Sequence, residues 1–488
     1  MAARRCNLVR AGAAVLACAA LGGCAVGPDF ERPAPPSTQH YVAPDEEAGG
    51  APSQQRIALE GTVQAQWWTL FQSKTLDAAV ERALARNGTL EAAQASLLAS
   101  EETWRAGAGG FYPAVNANVS AQRARSAPIQ QGSSAHAEPF RVVSASTVVT
   151  FPLDVFGARR RAVEELGAEA DVQRQEVGAA RVALVANVVD ACIALAGHRA
   201  ERRATLELIA LERGQLNSME AQVRAGTAAQ SGSLTLRSLI AGDEASLAAL
   251  DQRISVAQHR LAVLQGTPPS ETEPIELDFT DIQLPMDLPL SLPSTLARQR
   301  PDILAAEARL HAASAHIGVA TAAMFPSLDL AASYGAAGSR LGNWLDPAGR
   351  FWSVGPALTA PLFNGGALRH GRQAAIDDYQ AQQATYRQTV VAALGEVADA
   401  LEALRHDAQA VRAQEAASDA AREALRLLQA SQAAGLVSDA DVLAADAAFH
   451  QATIGLVQAQ ASRYEDTVAL LAALGGGWWD TTSAEPRP

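Results

Sequence analysis

The chain has 488 residues, 52 of them acidic and 39 basic, for a net charge of −13 at pH 7. An acidic chain with no basic stripe is not built to hold nucleic acid. Its four cysteines (Cys6, Cys18, Cys24 and Cys192) supply neither a disulfide framework nor a cysteine-rich metal site.

Residues 1–23 read as a secretory signal. Arg4, Arg5 and Arg10 precede an apolar run from Ala11 to Leu21, and Leu21-Gly22-Gly23-Cys24 closes it with small residues before a cysteine. That run is too short for a membrane helix, which needs roughly 20 residues. The ending looks like a bacterial lipoprotein signal, so Cys24 is expected to become the acylated N-terminus. With Ala25 next to it and no aspartate, the outer membrane is the expected destination. Removing the three arginines takes the net charge from −13 to −16. Residues 24–60, rich in Pro, Gly, Glu and Ser, read as an extended tether from the lipid to the first folded element.

Residues 61–275 form one unit. Leu90 to Trp104 has helical character. Val115, Ala117, Val119 and Ala121 then alternate with Asn116, Asn118, Ser120 and Gln122, which is a strand with one wet face. Val143, Ala145, Thr147 and Val149 alternate with Ser144, Ser146, Val148 and Thr150 across a polar loop, so a hairpin is predicted over about 113–152. From Ala158 to Ala225 there are 68 residues without proline, roughly 100 Å if unbroken at 1.5 Å per residue. Ile209, Leu216 and Val223 are spaced by seven with Met219 between, which is coiled-coil spacing. Gly178, Gly197 and Gly214 lower helix propensity and are expected to bend or break it. Gly226 ends it, and the chain returns over Leu234 to Leu264.

Residues 276–478 repeat this order, followed by a tail at 479–488. Gly157, Asp190, Gly226 and Gly266 recur as Gly366, Asp399, Gly435 and Gly475, an offset of 209 residues. A short helix covers Ile303 to Ala323, and a second hairpin covers about 326–361. It places Leu328, Leu330, Ala332 and Tyr334 opposite Ser327, Asp329 and Ser333, then Trp352, Val354, Pro356 and Leu358 opposite Ser353, Gly355 and Thr359. A second proline-free stretch runs from Ala367 to Ala434 and returns over Val442 to Leu474. A duplication this long makes two pseudo-symmetric halves, not a short solenoid repeat.

The strands are long enough to cross a membrane obliquely, and aromatics such as Phe111, Tyr112, Phe325 and Phe363 gather near their ends. A soluble sheet with ordinary core aromatics is the alternative. Four strands cannot close a barrel, and exposed strand edges are not tolerated in lipid. Transmembrane strands therefore require association: two copies would supply about 8 strands and three about 12. No later stretch offers 18 uninterrupted apolar residues, so no transmembrane helix is expected.

Arg300-Pro301-Asp302-Ile303-Leu304, Ile317-Gly318, Ala322-Ala323-Met324-Phe325-Pro326-Ser327 and Leu474-Gly475-Gly476-Gly477-Trp478 together resemble the TolC-like outer-membrane factors of bacterial tripartite efflux systems, in the lipoprotein branch represented by OprM. The similarity runs in order from Trp67-Trp68 to Trp478. It implies a mixed α and β membrane protein: a homotrimer whose 12-stranded outer-membrane barrel, four strands per chain, continues into a long periplasmic helical barrel. It also implies passive export of small molecules, delivered by an inner-membrane pump of the RND type through a periplasmic adaptor (membrane fusion) protein. No catalytic, metal or cofactor residue belongs to that picture.

The resemblance further places both long-helix turns at a periplasmic tip, where Arg224, Gly226, Gly435 and Leu436 would dock the adaptor. The first tip departs from the family, with Gln230-Ser231-Gly232-Ser233 where an apolar and acidic run is usual. Similar proteins gate with aspartates six and nine residues after the tip glycine. Here the sixth is Asp441 and the ninth is Ala444; Asp439 and Asp446 flank the position. In a trimer one inward aspartate becomes a ring of three, which would bind cations. Arg224 is the first ionic partner to consider for Asp441. The alternative reading makes these aspartates solvated caps favoured by the helix dipole.

Enzymatic chemistry finds little support. His311 and His316 are five apart and read as solvated helix positions, not metal ligands. Gly107-Ala108-Gly109-Gly110 follows a helix and precedes a strand, the reverse of a phosphate loop. A non-channel adaptor lipoprotein would need neither hairpin, and single-channel conductance separates the two readings.

Overall fold

The computed structural model describes residues 25–42, 55–59, 61, 63–125, 139–340 and 346–477. The elements in chain order are β1 (Arg56–Leu59), α1 (Lys74–Arg86), α2 (Gly88–Ala108), β2 (Ala114–Ala124), β3 (Phe140–Leu153), α3 (Ala158–Arg224), α4 (Gln230–Leu264), β4 (Asp287–Leu290), α5 (Pro293–Gln299), α6 (Pro301–Ala322), β5 (Ser327–Gly338), β6 (Arg350–Thr359), α7 (Ala367–Ala433) and α8 (Asp439–Ala473). Helices α3 and α7 each have 67 residues, and α4 and α8 each have 35. The expected breaks at Gly178, Gly197 and Gly214 do not occur, because α3 is helical throughout. Gly197 sits against Ala461 and Phe279, so packing there offsets its weak propensity.

The chain divides into two compact units that cut across the sequence repeats. One comprises residues 1–33, 97–173 and 306–386. Its centre is a four-stranded antiparallel sheet in the order β2-β3-β5-β6. The register lines up Val115, Val149, Ala332 and Val354 in one row, with Ala117, Thr147, Tyr334 and Trp352 in the next. Leu153, Leu328 and Leu358 continue that face. The opposite face carries Asn116, Val148, Ser333 and Ser353, then Asn118, Ser146 and Gly335. Ser120 and Ser144 meet at 2.8 Å there, as do Ser333 and Ser353. The apolar face is uncovered: Val119 is 79% exposed and Trp352 73%. Strands β2 and β6 are the sheet's edges, each with one unpaired side.

The same unit holds the start of the chain. The Val26 amide donates to the Phe156 carbonyl, and the buried Arg161 guanidinium bonds Asp29 at 2.6 Å and Glu164 at 2.8 Å. Phe30 stacks on His311 and Arg32 pairs with Glu307. Gly27 and Gly157 have positive φ, and a Cβ on either would strike Gly318 or Ala25. Residues 25–33, within the extended tether expected at 24–60, form a strap bonded to α3 and α6. Near the other end of that segment, Arg56–Leu59 forms strand β1.

The second unit comprises residues 34–96, 174–305 and 387–488. Trp67, Trp68 and Phe71 plug its core against Leu76 and Val80 of α1, Val188 and Ile193 of α3, Leu296 of α5 and Leu471 of α8. Strand β1 pairs in parallel with β4, Arg56 opposite Asp287. An 18-residue window of α3 has a mean hydropathy of 1.8, which passes for a membrane span where none was expected. Half of it is buried in the protein, and this core accounts for its apolar character. Cys192 is a free, buried thiol in the same core.

Candidate functional site

Three places hold the residues singled out from sequence. At the helix turns, α3 and α7 end alike. Gly226 has φ +73° and Gly435 φ +74°. Thr227 N donates to Gln222 O and Leu436 N to Ser431 O, the six-to-one bond of a left-handed helix cap. A β-carbon at either glycine has open space but a strained backbone, so conformation alone selects glycine. Leu436 is 77% exposed, and Arg224 is exposed as well.

The two aspartates after the second tip differ. Asp441 closes a capping box: Ser438 N and Oγ both donate to its Oδ2, at 3.0 and 2.6 Å, and Asp441 N donates back to Ser438 Oγ. These bonds hold its carboxyl below the usual carboxylate range, the Ser438 hydroxyl contributing most. Its hydrogen-bond partner is Ser438, which satisfies Oδ2 locally. Asp439 instead accepts from Gln222 Nε2 of α3 and Gln432 Nε2 of α7, which ties the two helix hairpins together. Asp446, one turn further, is buried beside His450, with Nε2 3.7 Å from Oδ1.

At the junction of α5 and α6, Arg300 gathers the second unit. Its buried guanidinium bonds Asp302 with two nitrogens, reaches Glu396 of α7 at 2.6 Å and donates to the Ala473 carbonyl of α8 at 3.0 Å. Pro301 starts α6 where the missing N–H costs nothing.

Of the two histidines, His316 is exposed as expected and His311 is half-buried, and each has a carboxylate partner. His311 meets Glu164 at 3.0 Å and His316 meets Glu165 at 2.9 Å, because α6 packs along α3. No group of three His, Cys, Asp or Glu suited to a metal occurs among the described residues. Cys24 and the glycine-rich ending's Trp478 lie outside the described residues.

An uncovered apolar sheet face, paired helix hairpins of equal length and glycine-capped tips define a class of mostly helical proteins that also carry a small antiparallel sheet. The model of the outer membrane efflux protein family matches this chain twice, over residues 79–267 and 292–476, and the chain belongs to that family. Nodulation protein T of Rhizobium leguminosarum bv. viciae is 31% identical over 483 residues, covering 96% of this chain and 93% of that protein. Outer membrane protein OprJ of Pseudomonas aeruginosa is 30% identical over 479 residues, covering 95% of each. Among solved structures, the outer-membrane channel OprN superposes with a TM-score of 0.83 at 28% identity, over 93% of this chain and all of that one. The chain is an outer-membrane efflux protein.

Proposed function

We propose that this protein is the outer-membrane channel of a tripartite efflux system, a homotrimer through which small molecules pass passively from an inner-membrane pump and its periplasmic adaptor. The observation that carries this reading is the sheet: four strands, an uncovered apolar face and two unpaired edges. In lipid those edges must be paired, and copies of the same sheet meeting β2 to β6 close a barrel with the apolar face outward. Three copies give the 12 strands that the family resemblance implies. The polar row of Asn116, Asn118, Ser120 and Ser144 then lines a wet bore.

The helices belong to the periplasmic part, with the tips around Gly226, Gly435, Arg224 and Leu436 as the adaptor-docking surface and Asp439 and Asp441 at the gate. Equal helix lengths and two family matches per chain support a gene duplication. Pumps of the RND type are the expected source of cargo. The names of relatives mention pyoverdine and toluene, chemically unlike cargoes that suit a duct without a selective pocket. Cys24 is the lipid anchor, a reading the Leu21-Gly22-Gly23-Cys24 ending supports.

Mass measurement of the purified protein in detergent, joined to single-channel recording, tests the assembly. A conducting trimer is expected. A monomer that conducts overturns the closure argument. For the anchor, Cys24→Ser is expected to lose the acyl mass yet still insert, and an unchanged mass overturns lipidation.

A further inference from the structure

A buried carboxyl cluster lies a few turns inside the tips. Glu212 of α3 is 0% exposed, and neither of its carboxyl oxygens has a hydrogen-bond partner. It faces Asp243 of α4, another carboxyl, whose Oδ2 is also unpartnered. Asp446 and His450 of α8 complete the group, 4% and 5% exposed, with Asp446 Oδ2 and His450 Nε2 unsatisfied. Two of these elements belong to the first helix hairpin and one to the second.

A buried ionised carboxylate with no donor is costly, and two facing carboxylates cannot satisfy each other without a proton between them. The neighbouring arginines are engaged elsewhere. Arg213 pairs with Glu244 at 2.5 Å on the outer face, and Arg422 of α7 pairs with Asp419 at 3.0 Å while lying over the Phe449 ring. Leu236 and Ile240 of α4 and Leu443 of α8 lie between the group and the tips, packed with Ile209 of α3. The group is therefore a set of buried carboxyl oxygens, Glu212 Oε1 and Oε2, Asp243 Oδ2 and Asp446 Oδ2, that no donor reaches.

We propose that Glu212, Asp243, Asp446 and His450 form a proton-operated latch between the two helix hairpins, closed when the carboxyl pair holds a proton and loosened when it loses it. With the proton present, Glu212 and Asp243 share it and the hairpins pack without charge. Without it, Glu212 and Asp446 confront each other across the hairpin boundary as like charges and admit water. His450, whose Nε2 lies 3.7 Å from Asp446 Oδ1, packs the Asp446 side of the latch.

Burial, with the charges of Asp243 and then Asp446, pushes the Glu212 carboxyl up to about 7. A raised carboxyl favours the folded latch fully at pH values below its ordinary range, near 4.5, and that contribution fades as pH rises through about 7. The response therefore falls at near-neutral pH. The latch itself needs only the protomer's packing, while its effect on flow rests on the channel reading above.

The test is amide hydrogen exchange of the full-length assembly in detergent, corrected for the chemical exchange rate, at about pH 6 and about pH 8. In the wild type, segments 205–220 and 239–250 are expected to exchange roughly tenfold faster at the higher pH, the change that one unit of proton linkage supplies. Glu212→Gln, a neutral isostere, is expected to hold the slow rate at both. Asp243→Asn serves as the second neutral isostere and is expected to flatten the response if the first variant does not assemble. Equal wild-type rates at the two pH values overturn the latch, as does a full response kept by both variants. So does a uniform acceleration that includes the core segment 185–197. Because exchange is read without current, a latch that works in a protein that does not conduct separates this inference from the channel reading.

Discussion

The Gln222 side-chain amide of α3 donates to the Asp439 carboxylate at the start of α8, and Gln432 of α7 donates to the other oxygen. One carboxylate thus spans the ends of both hairpins. Hydrogen bonds to a charged group contribute about 1.5–3 kcal/mol, and partial exposure puts this pair at the lower end. Gln222→Ala is expected to speed amide exchange in residues 220–230 and 436–442 by roughly tenfold at neutral pH and to raise single-channel conductance. Asp439→Ala should do more, because it orphans both amides. Unchanged exchange in both variants would mean that the hairpins are held elsewhere.

Arg300 carries a different load. Its guanidinium bridges Asp302, Glu396 and the Ala473 carbonyl, joining three helices of one unit. Removing one partner of a fully buried pair costs about 3–5 kcal/mol, but the Glu396 carboxylate is 57% exposed, so about 2 kcal/mol or slightly more is expected for Arg300→Ala. Arg300→Lys keeps the charge but not the fork, and should recover less than half of that loss. Urea titration of the detergent-solubilised protein, followed by tryptophan fluorescence, measures both.

How far these elements were visible beforehand follows their physics. The long helices could be read because 68 proline-free residues ending in glycine leave few alternatives, and the hairpins because period-two alternation survives when one face is wet. The pairing of β1 with β4 could not, since Arg56 and Asp287 lie 231 residues apart and each strand has only four residues. Helices α1 and α5 also escaped notice, being short and held by the Trp67–Phe71 plug more than by periodicity. Residues 25–33 looked like linker because Pro, Gly and Glu dominate, yet Arg161 and His311 give them fixed partners. The Glu212 cluster left only a scatter of acidic residues on separate helices, because which helical face is buried depends on tertiary packing. Asp441 was found at its position, but its capping role followed from Ser438 three residues earlier, a Ser-x-x-Asp signal that a capping-box search would have flagged.

A second pH response is expected deeper in the same unit. Asp407 of α7 faces Asp466 of α8, and burial, then that contact, push its carboxyl up to about 7; Asp190 of α3 is pushed up to about 7 by burial, with Glu465 as the next cause. Both ordinarily titrate near 3.8, so the folded state prefers them protonated. Their contribution is therefore full below about pH 4 and is lost as pH rises through 7. Asp407→Asn, isosteric with the protonated acid, should raise stability at pH 8 by about 1 kcal/mol relative to wild type and leave it nearly unchanged at pH 4. Unfolding midpoints at the two pH values decide it, and an equal effect at both would point to packing in place of proton linkage.

Asp441 poses the choice between a gate charge and a cap. Its two bonds from Ser438 keep it ionised through the physiological range, and it is exposed after the tip glycine, so three copies in a trimer would carry a persistent ring of negative charge. The same bonds cap α8, so losing them loosens the first turn of that helix. Ser438→Ala removes the hydroxyl half of the capping box and keeps the charge, whereas Asp441→Asn removes the charge and keeps much of the geometry. If the ring filters ions, Asp441→Asn alone should lower cation selectivity and weaken block by divalent cations applied from the periplasmic side, with Ser438→Ala close to wild type. Should the two variants shift selectivity equally, or neither shift it, Asp441 is a helix cap and the aperture is charged by other residues.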